Sequence, residues 1–213
     1  MRKLAIAFGL LAASCGQDNT HTSFRYHDDG RVKPAVAIAS MIDTTSFDAP
    51  WSISEELTSM VIKHIAGQGS VFVQSKEEYP IAENPFTQDI SWIKRDFNNQ
   101  EFVLFMELVE HEIVPAKGKS IPHNLAPQEI STSLNMGVRV RLVDVRGVKP
   151  RIVLQELVRD SYFIPKSLMA PDYSQIVWGT NEYRKSPMGI AHTQIVQQIA
   201  ERVSDYIMLA KNQ

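Results

Sequence analysis

The densest group of side chains able to act as acids, bases or metal ligands is Glu110-His111-Glu112. Two carboxylates beside an imidazole could hold a cation or relay a proton, but the HExxH spacing that sets two histidines on one helical face is missing. On a strand, period two puts both glutamates on one side and His111 on the other, so the expectation is a solvated strand end rather than a metal site. Ser186 precedes Pro187 without the GxSxG turn that exposes a nucleophile, and no GxGxxG or GxxxxGK loop is present to cradle phosphate. His64 falls on or beside the apolar stripe of a helix and reads as a satisfied core residue. His192 is expected near the start of the last helix, and spacing pairs neither histidine with a catalytic partner. This reading gives no catalytic residue, no metal and no cofactor, and so a protein that is not an enzyme. The remaining reactive group is the thiol of Cys15. It is the single cysteine in 213 residues, which excludes an internal disulfide, a cysteine zinc cluster and a CxxC redox pair.

The position of Cys15 gives it a meaning. Arg2 and Lys3 precede an apolar run, Leu4 to Leu11, that closes on Ala12-Ala13-Ser14-Cys15. A basic start, a short apolar stretch and small residues resemble a bacterial lipoprotein signal over residues 1–14, and the run is too short to span a bilayer as a helix. The resemblance implies lipidation of Cys15, palmitate being one such acyl group. At about 0.8 kcal/mol per buried methylene, two or three acyl chains would anchor the protein in effect permanently. Gly16, rather than Asp, follows the cysteine, and for sorted lipoproteins this implies the outer membrane, facing the periplasm.

Residues 15–32 are polar, with few aliphatics and no period of two or 3.6, and read as a flexible tether whose root-mean-square span is about 20 Å. His21, His27, Asp28 and Asp29 fall here without a scaffold to hold a metal. Residues 33–213 suit a single domain. A formal net charge of -2 with 44% hydrophobic residues removes the electrostatic footprint of a nucleic-acid binder. No second apolar segment approaches the length of a membrane span.

Within the domain, Ala35 to Ile42 is apolar and short enough for a buried strand. Ser52 stands three residues ahead of Glu55, a capping-box spacing, and Leu57, Met60, Val61, His64 and Ile65 recur at helical intervals before Gly67 and Gly69. Val71 to Val73 then forms a second strand, parallel to the first across a helical crossover. Asn84-Pro85 can cap a short helix carrying Ile90, Trp92 and Ile93, and Glu101 to Val114 reads as a third strand. Between Ser131 and Val145, Leu134, Met136, Val138, Val140 and Leu142 share one face, while Asn135, Arg139 and Arg141 share the wet one. Gly147 and Pro150 turn this strand into Arg151 to Asp160, and Ser186-Pro187 opens a C-terminal helix with an apolar stripe of Ile195, Ile199, Val203 and Ile207. The expected fold is α/β (α+β). It is a three-layer-like domain with a mixed sheet of about five strands, in the order β-α-β-α-β-β-β-α.

That order, with VAIASMID (Val36 to Asp43), SISEELTSMVIKHIAG and VFV (Val71 to Val73), resembles the periplasmic lipoprotein domains of CsgG and LpoB over Ala35 to Ala210. The ending SPMGIAHTQIVQQIAERVSDYI is also similar to outer-membrane lipoproteins of unassigned function of the chlamydial and planctomycete kind. The resemblance implies a non-enzymatic binding or regulatory module in cell-wall or outer-membrane assembly, its partner an envelope protein such as a cell-wall synthase. The alternative is a self-assembling secretion-channel component like CsgG, a homo-oligomer. The candidate partner surface is the long connection from Tyr162 to Arg184, with Met169, Tyr173, Trp178 and Tyr183, because aromatics and methionine bury much area at docking sites. A loop folded over the sheet's open face is the competing reading. Arg139 and Arg141 could add an acid-binding patch, against the plainer reading of a charged solvent face.

Overall fold

Local chemistry sets the helix boundaries. Ser52 is extended and its side chain accepts from the Glu55 amide, which starts α1 (Ile53–Gln68), and Gly69, at φ 72°, stops it in the left-handed conformation that glycine adopts without strain. The last helix, α4 (Pro187–Lys211), begins as the sequence predicts, with Ser186 accepting from the Gly189 amide and Pro187 in the first turn. The computed structural model describes residues 24–74, 81, 83–115, 131–165 and 177–212. The signal, Cys15, Met169 and Tyr173 lie outside the described residues.

One open mixed sheet and four helices make a single α/β domain. The chain runs β1 (Ala35–Ile38), β2 (Ile42–Asp43), α1, β3 (Phe72–Val73), α2 (Ser91–Asp96), β4 (Phe102–Pro115), β5 (Thr132–Asp144), β6 (Arg151–Ile164), α3 (Asn181–Lys185) and α4. The strand order is β3-β1-β4-β5-β6, with β2 also pairing β4. β1 is parallel to β3, as the crossover reading expects, and also to β4, while β4, β5 and β6 are antiparallel.

The sheet has six strands rather than five because the apolar run Ala35 to Ile42 is broken. At the break, Thr58 of α1 accepts the Met41 amide at 2.9 Å and Ser54 donates to the Met41 carbonyl, so helix side chains replace the ladder for one residue. α2 starts at Ser91, not at Asn84-Pro85. Asn84 instead closes a turn by accepting the Phe86 amide at 2.8 Å. β6 runs to Ile164 and absorbs the start of the connection expected from Tyr162. Residues 24–32, read as tether, carry a hydrogen-bonded turn: Tyr26 bridges Val32, and the Lys33 amide donates to the Arg25 carbonyl at 2.9 Å.

α1 and α4 pack side by side on one face of the sheet. Their apolar stripes, including Leu57, Val61, Ile65, Ile195, Ile199 and Val203, bury the inward residues of β4 and β5. Among the described residues the other face is covered at one end, where Trp92, Ile93 and Phe97 pack on Val103, Phe105 and Val143. Among the described residues the expected third layer is therefore partial.

Candidate functional site

The helix-side core contains a chain of polar groups. Along β4 the odd residues Val103, Phe105 and Glu107 belong to the face away from α1 and α4, and strict alternation would keep His111 with them. A bulge intervenes: pairing passes from Leu108 opposite Val138 to Glu110 opposite Gly137, so Val109 is extra and the alternation inverts. Gly137 suits this site, since a Cβ there would lie 3.1 Å from that of Glu110. Glu110 and Glu112 share one face as expected, but His111 is buried beneath the helices at 4% exposure. The solvated strand end expected for it is thus corrected.

Three further elements meet His111. Glu56 of α1 and His192 of α4 are fully buried, and Tyr183 of α3 is nearly so. His192 Nδ1 lies 2.8 Å from Glu56 Oε1, which also accepts from the Tyr183 hydroxyl, while Trp51 Nε1 donates to Glu56 Oε2 at 2.7 Å. His192 Nε2 lies 2.8 Å from His111 Nε2. Phe47 closes the end of the chain, its ring centroid 4.2 Å from that of His111. His192 thus has the partners that spacing alone could not assign it, 81 and 136 positions away.

Electrostatics fixes the resting state. Burial alone would raise the Glu56 carboxyl, but the hydrogen bond and charge of His192, with the bonds from Tyr183 and Trp51, outweigh it and hold Glu56 below the usual carboxylate range. Burial first, and then the charge of His192, push His111 down to about 4, against the pull of Asp43 and Glu56. With Glu56 ionised, His192 donates through Nδ1, and a single proton is shared between the two Nε2 atoms. His111 Nδ1 is a buried polar atom with no partner among the described residues, an arrangement that costs about 1–3 kcal/mol. Each histidine spends its Nε2 on the other, and both rings are enclosed, His192 fully and His111 at 4% exposure. No cluster of three or more metal-binding side chains occurs among the described residues.

Above this chain a groove of about 350 Å³ opens between α1 and the α3–α4 corner, lined by Met60, Lys63, His64, Trp178, Tyr183 and Arg184 among others. Tyr183 belongs to both: its hydroxyl enters the buried chain and its ring stacks edge-on to Trp51 at 5.4 Å. Thr180 caps α3 by accepting the Tyr183 amide at 3.2 Å. Ser186, unremarkable as a nucleophile, donates to the Tyr183 carbonyl at 2.7 Å while capping α4. A Cβ at Gly189 would overlap that same carbonyl oxygen, so only glycine permits α3 to sit this close to α4.

The candidate residues from the sequence therefore separate. Trp178 and Tyr183 meet at the groove. His64, expected in the core, is half-buried at its wall. Arg139 is on the opposite face of the sheet, paired with Glu107 at 2.9 Å. Arg141, expected on the wet face, is buried at 4% exposure, because the 85–87 turn closes over it. Its guanidinium donates to the carbonyls of Pro85, Phe86 and Thr87 and to Gln155, satisfying all five N–H groups.

A family of unknown function, DUF7499, matches residues 22–211. No curated protein matches the chain. Among solved structures, the hypothetical protein CT253 from Chlamydia trachomatis is 21% identical, with 83% of this chain and 98% of that one covered and a TM-score of 0.65. Protein XCC0632 from Xanthomonas campestris, of family DUF330, is 9% identical over 85% of this chain and 90% of that one, at a TM-score of 0.51. Lipoprotein GNA1162 from Neisseria meningitidis aligns more loosely, at 11% identity over 79% and 99% of the two chains and a TM-score of 0.37. At these identities the first two likenesses speak for the fold. No helix among the described residues is long and apolar enough to cross a membrane.

Proposed function

The chain belongs to DUF7499, a family of unknown function, and from that premise we propose that it is a lipid-anchored envelope protein acting as a non-enzymatic docking module for a protein of cell-wall or outer-membrane assembly. The anchor is Cys15, after a run whose charge and length suit a lipoprotein signal, and the outer membrane facing the periplasm is its location. The observation that carries the docking role is the groove at Trp178. It sets an aromatic and a methionine beside a rigidly capped helix corner, the composition and preorganisation that anchor a partner. The chain of Glu56, His192 and His111, by contrast, is closed off from solvent, which supports a role other than catalysis. A tether on the membrane raises the partner's effective concentration.

The test is in-cell crosslinking of the lipidated protein, with Cys15→Ala as the unanchored control and Trp178→Ala as the groove control. Capture of a cell-wall synthase or assembly-machine subunit, reduced in both variants, is expected. Capture that persists in a folded Trp178→Ala protein would remove the groove from the docking role. Recovery of nothing but the protein's own copies, in a discrete ring, would replace the docking module with a CsgG-like channel component.

A further inference from the structure

Two basic side chains border the groove. Several arginines elsewhere are matched to carboxylates, Arg95 with Asp96, Arg139 with Glu107, Arg146 with Asp144, Arg159 with Glu110 and Arg202 with Glu156, and the buried Arg141 is matched to carbonyls and Gln155. Lys63 and Arg184 line the groove, and among the described residues neither has a carboxylate partner. Arg184 instead donates to the Gly179 carbonyl at 3.1 Å, a neutral acceptor that fixes the guanidinium at the rim and leaves its charge uncompensated. Among the described residues no carboxylate lines the groove, whose apolar lining is Met60, Trp178 and the ring of Tyr183. Two cations without a carboxylate partner among the described residues, over an apolar floor in a chain whose net charge is -2, are complementary to a ligand that is both acidic and apolar. A volume of about 350 Å³ is at the small end of ligand pockets, which run from about 300 to 1,000 Å³, and suits one or two anchoring side chains of a larger partner.

We propose that this groove receives an acidic, apolar peptide segment of the protein partner, its apolar side chain seated on Met60 and Trp178 and its carboxylate between Lys63 and Arg184. The inference rests on the docking reading and names the chemistry of what docks.

Fluorescence anisotropy of the full chain with labelled acetyl-Glu-Leu-Phe-Glu amide tests it, against the Gln-Leu-Phe-Gln and Lys-Leu-Phe-Lys counterparts. The acidic peptide should bind about fivefold or more tighter than the neutral one, in keeping with two partly exposed ion pairs, and the preference should shrink with added salt. Lys63→Glu combined with Arg184→Glu should invert the order and favour the lysine peptide, which a merely structural role for these side chains would not produce. Lys63→Gln alone, a substitution on an exposed helix face, serves if the double variant fails to fold, and it should lower the preference for the acidic peptide. Equal binding of acidic and neutral peptides, or binding of none, would overturn the proposal. So would saturable binding of dodecanoate with no acidic-peptide binding, which would assign the groove to an acyl anion. Partner capture in cells that still depends on Trp178 would then show that the docking reading survives while the peptide chemistry fails.

Discussion

Two buried polar clusters flank the sheet, and they solve the same problem in opposite ways. On the face opposite α1 and α4, Arg141 directs five N–H groups at three carbonyls and an amide, so every donor is satisfied and none of the partners titrates. On the helix face, Glu56, His192 and His111 share protons with Tyr183 and Trp51, and the chain ends at an unpartnered His111 Nδ1. The first is a clamp indifferent to pH. The second depends on protonation, because its geometry is that of an ionised carboxylate and a neutral terminal imidazole.

The difference can be broken most forcefully at Glu56. Glu56→Ala leaves buried donors on His192, Tyr183 and Trp51 without their acceptor and should cost about 3–5 kcal/mol, measured by urea unfolding. Next comes the pH profile. Unfolded His111 binds a proton below its ordinary value of 6.5, whereas the folded residue does so only near 4, so in that window the unfolded state holds more protons. Stability should therefore fall as pH drops from 6.5 towards 4, by on the order of 3 kcal/mol in total. Glu56, whose pKa is depressed, adds to the loss once pH falls below the ordinary carboxylate range. Thermal melts of His111→Gln across this window should show the histidine part of the slope gone. A profile unchanged from the parent would mean that His111 is not the titrating group.

Arg141→Lys sharpens the comparison from the other side. A lysine cannot reach three carbonyls in a fork, so a loss of about 1–3 kcal/mol is expected, and that loss should be the same at pH 5 and pH 7. The smallest effect belongs to Arg139→Ala. Its partly exposed pair with Glu107 should contribute less than about 1 kcal/mol in the same unfolding assay, and the remainder should vanish at high salt.

Much of the fold was legible because its signals are local. Ser52 with Glu55, and Ser186 with Pro187, mark helix starts within four residues, and the alternation from Leu134 to Leu142 marks a strand with one buried face. The candidate site was legible only in its surface part, where Trp178 and Tyr183, singled out by composition, both line the groove. The buried chain was not. His111 changes face because of a bulge that the β4 sequence does not announce, and the bonds from His192 to it and to Glu56 span 81 and 136 positions. Arg141 misleads for the same reason, since the carbonyls that bury it belong to a turn 54 to 56 residues distant. Periodicity assigns a residue to a face but says nothing of what the rest of the chain brings to cover it.

Gly189 sets the clearance on which groove and core both depend. The Tyr183 carbonyl rests where a side chain at 189 would be, so the corner works as a joint with no spare tolerance. Gly189→Ala would act as a wedge, lifting α3 by its middle residue. The same displacement that widens the groove would draw the Tyr183 hydroxyl away from Glu56, so one added methyl would turn a surface event and an interior event into a single movement.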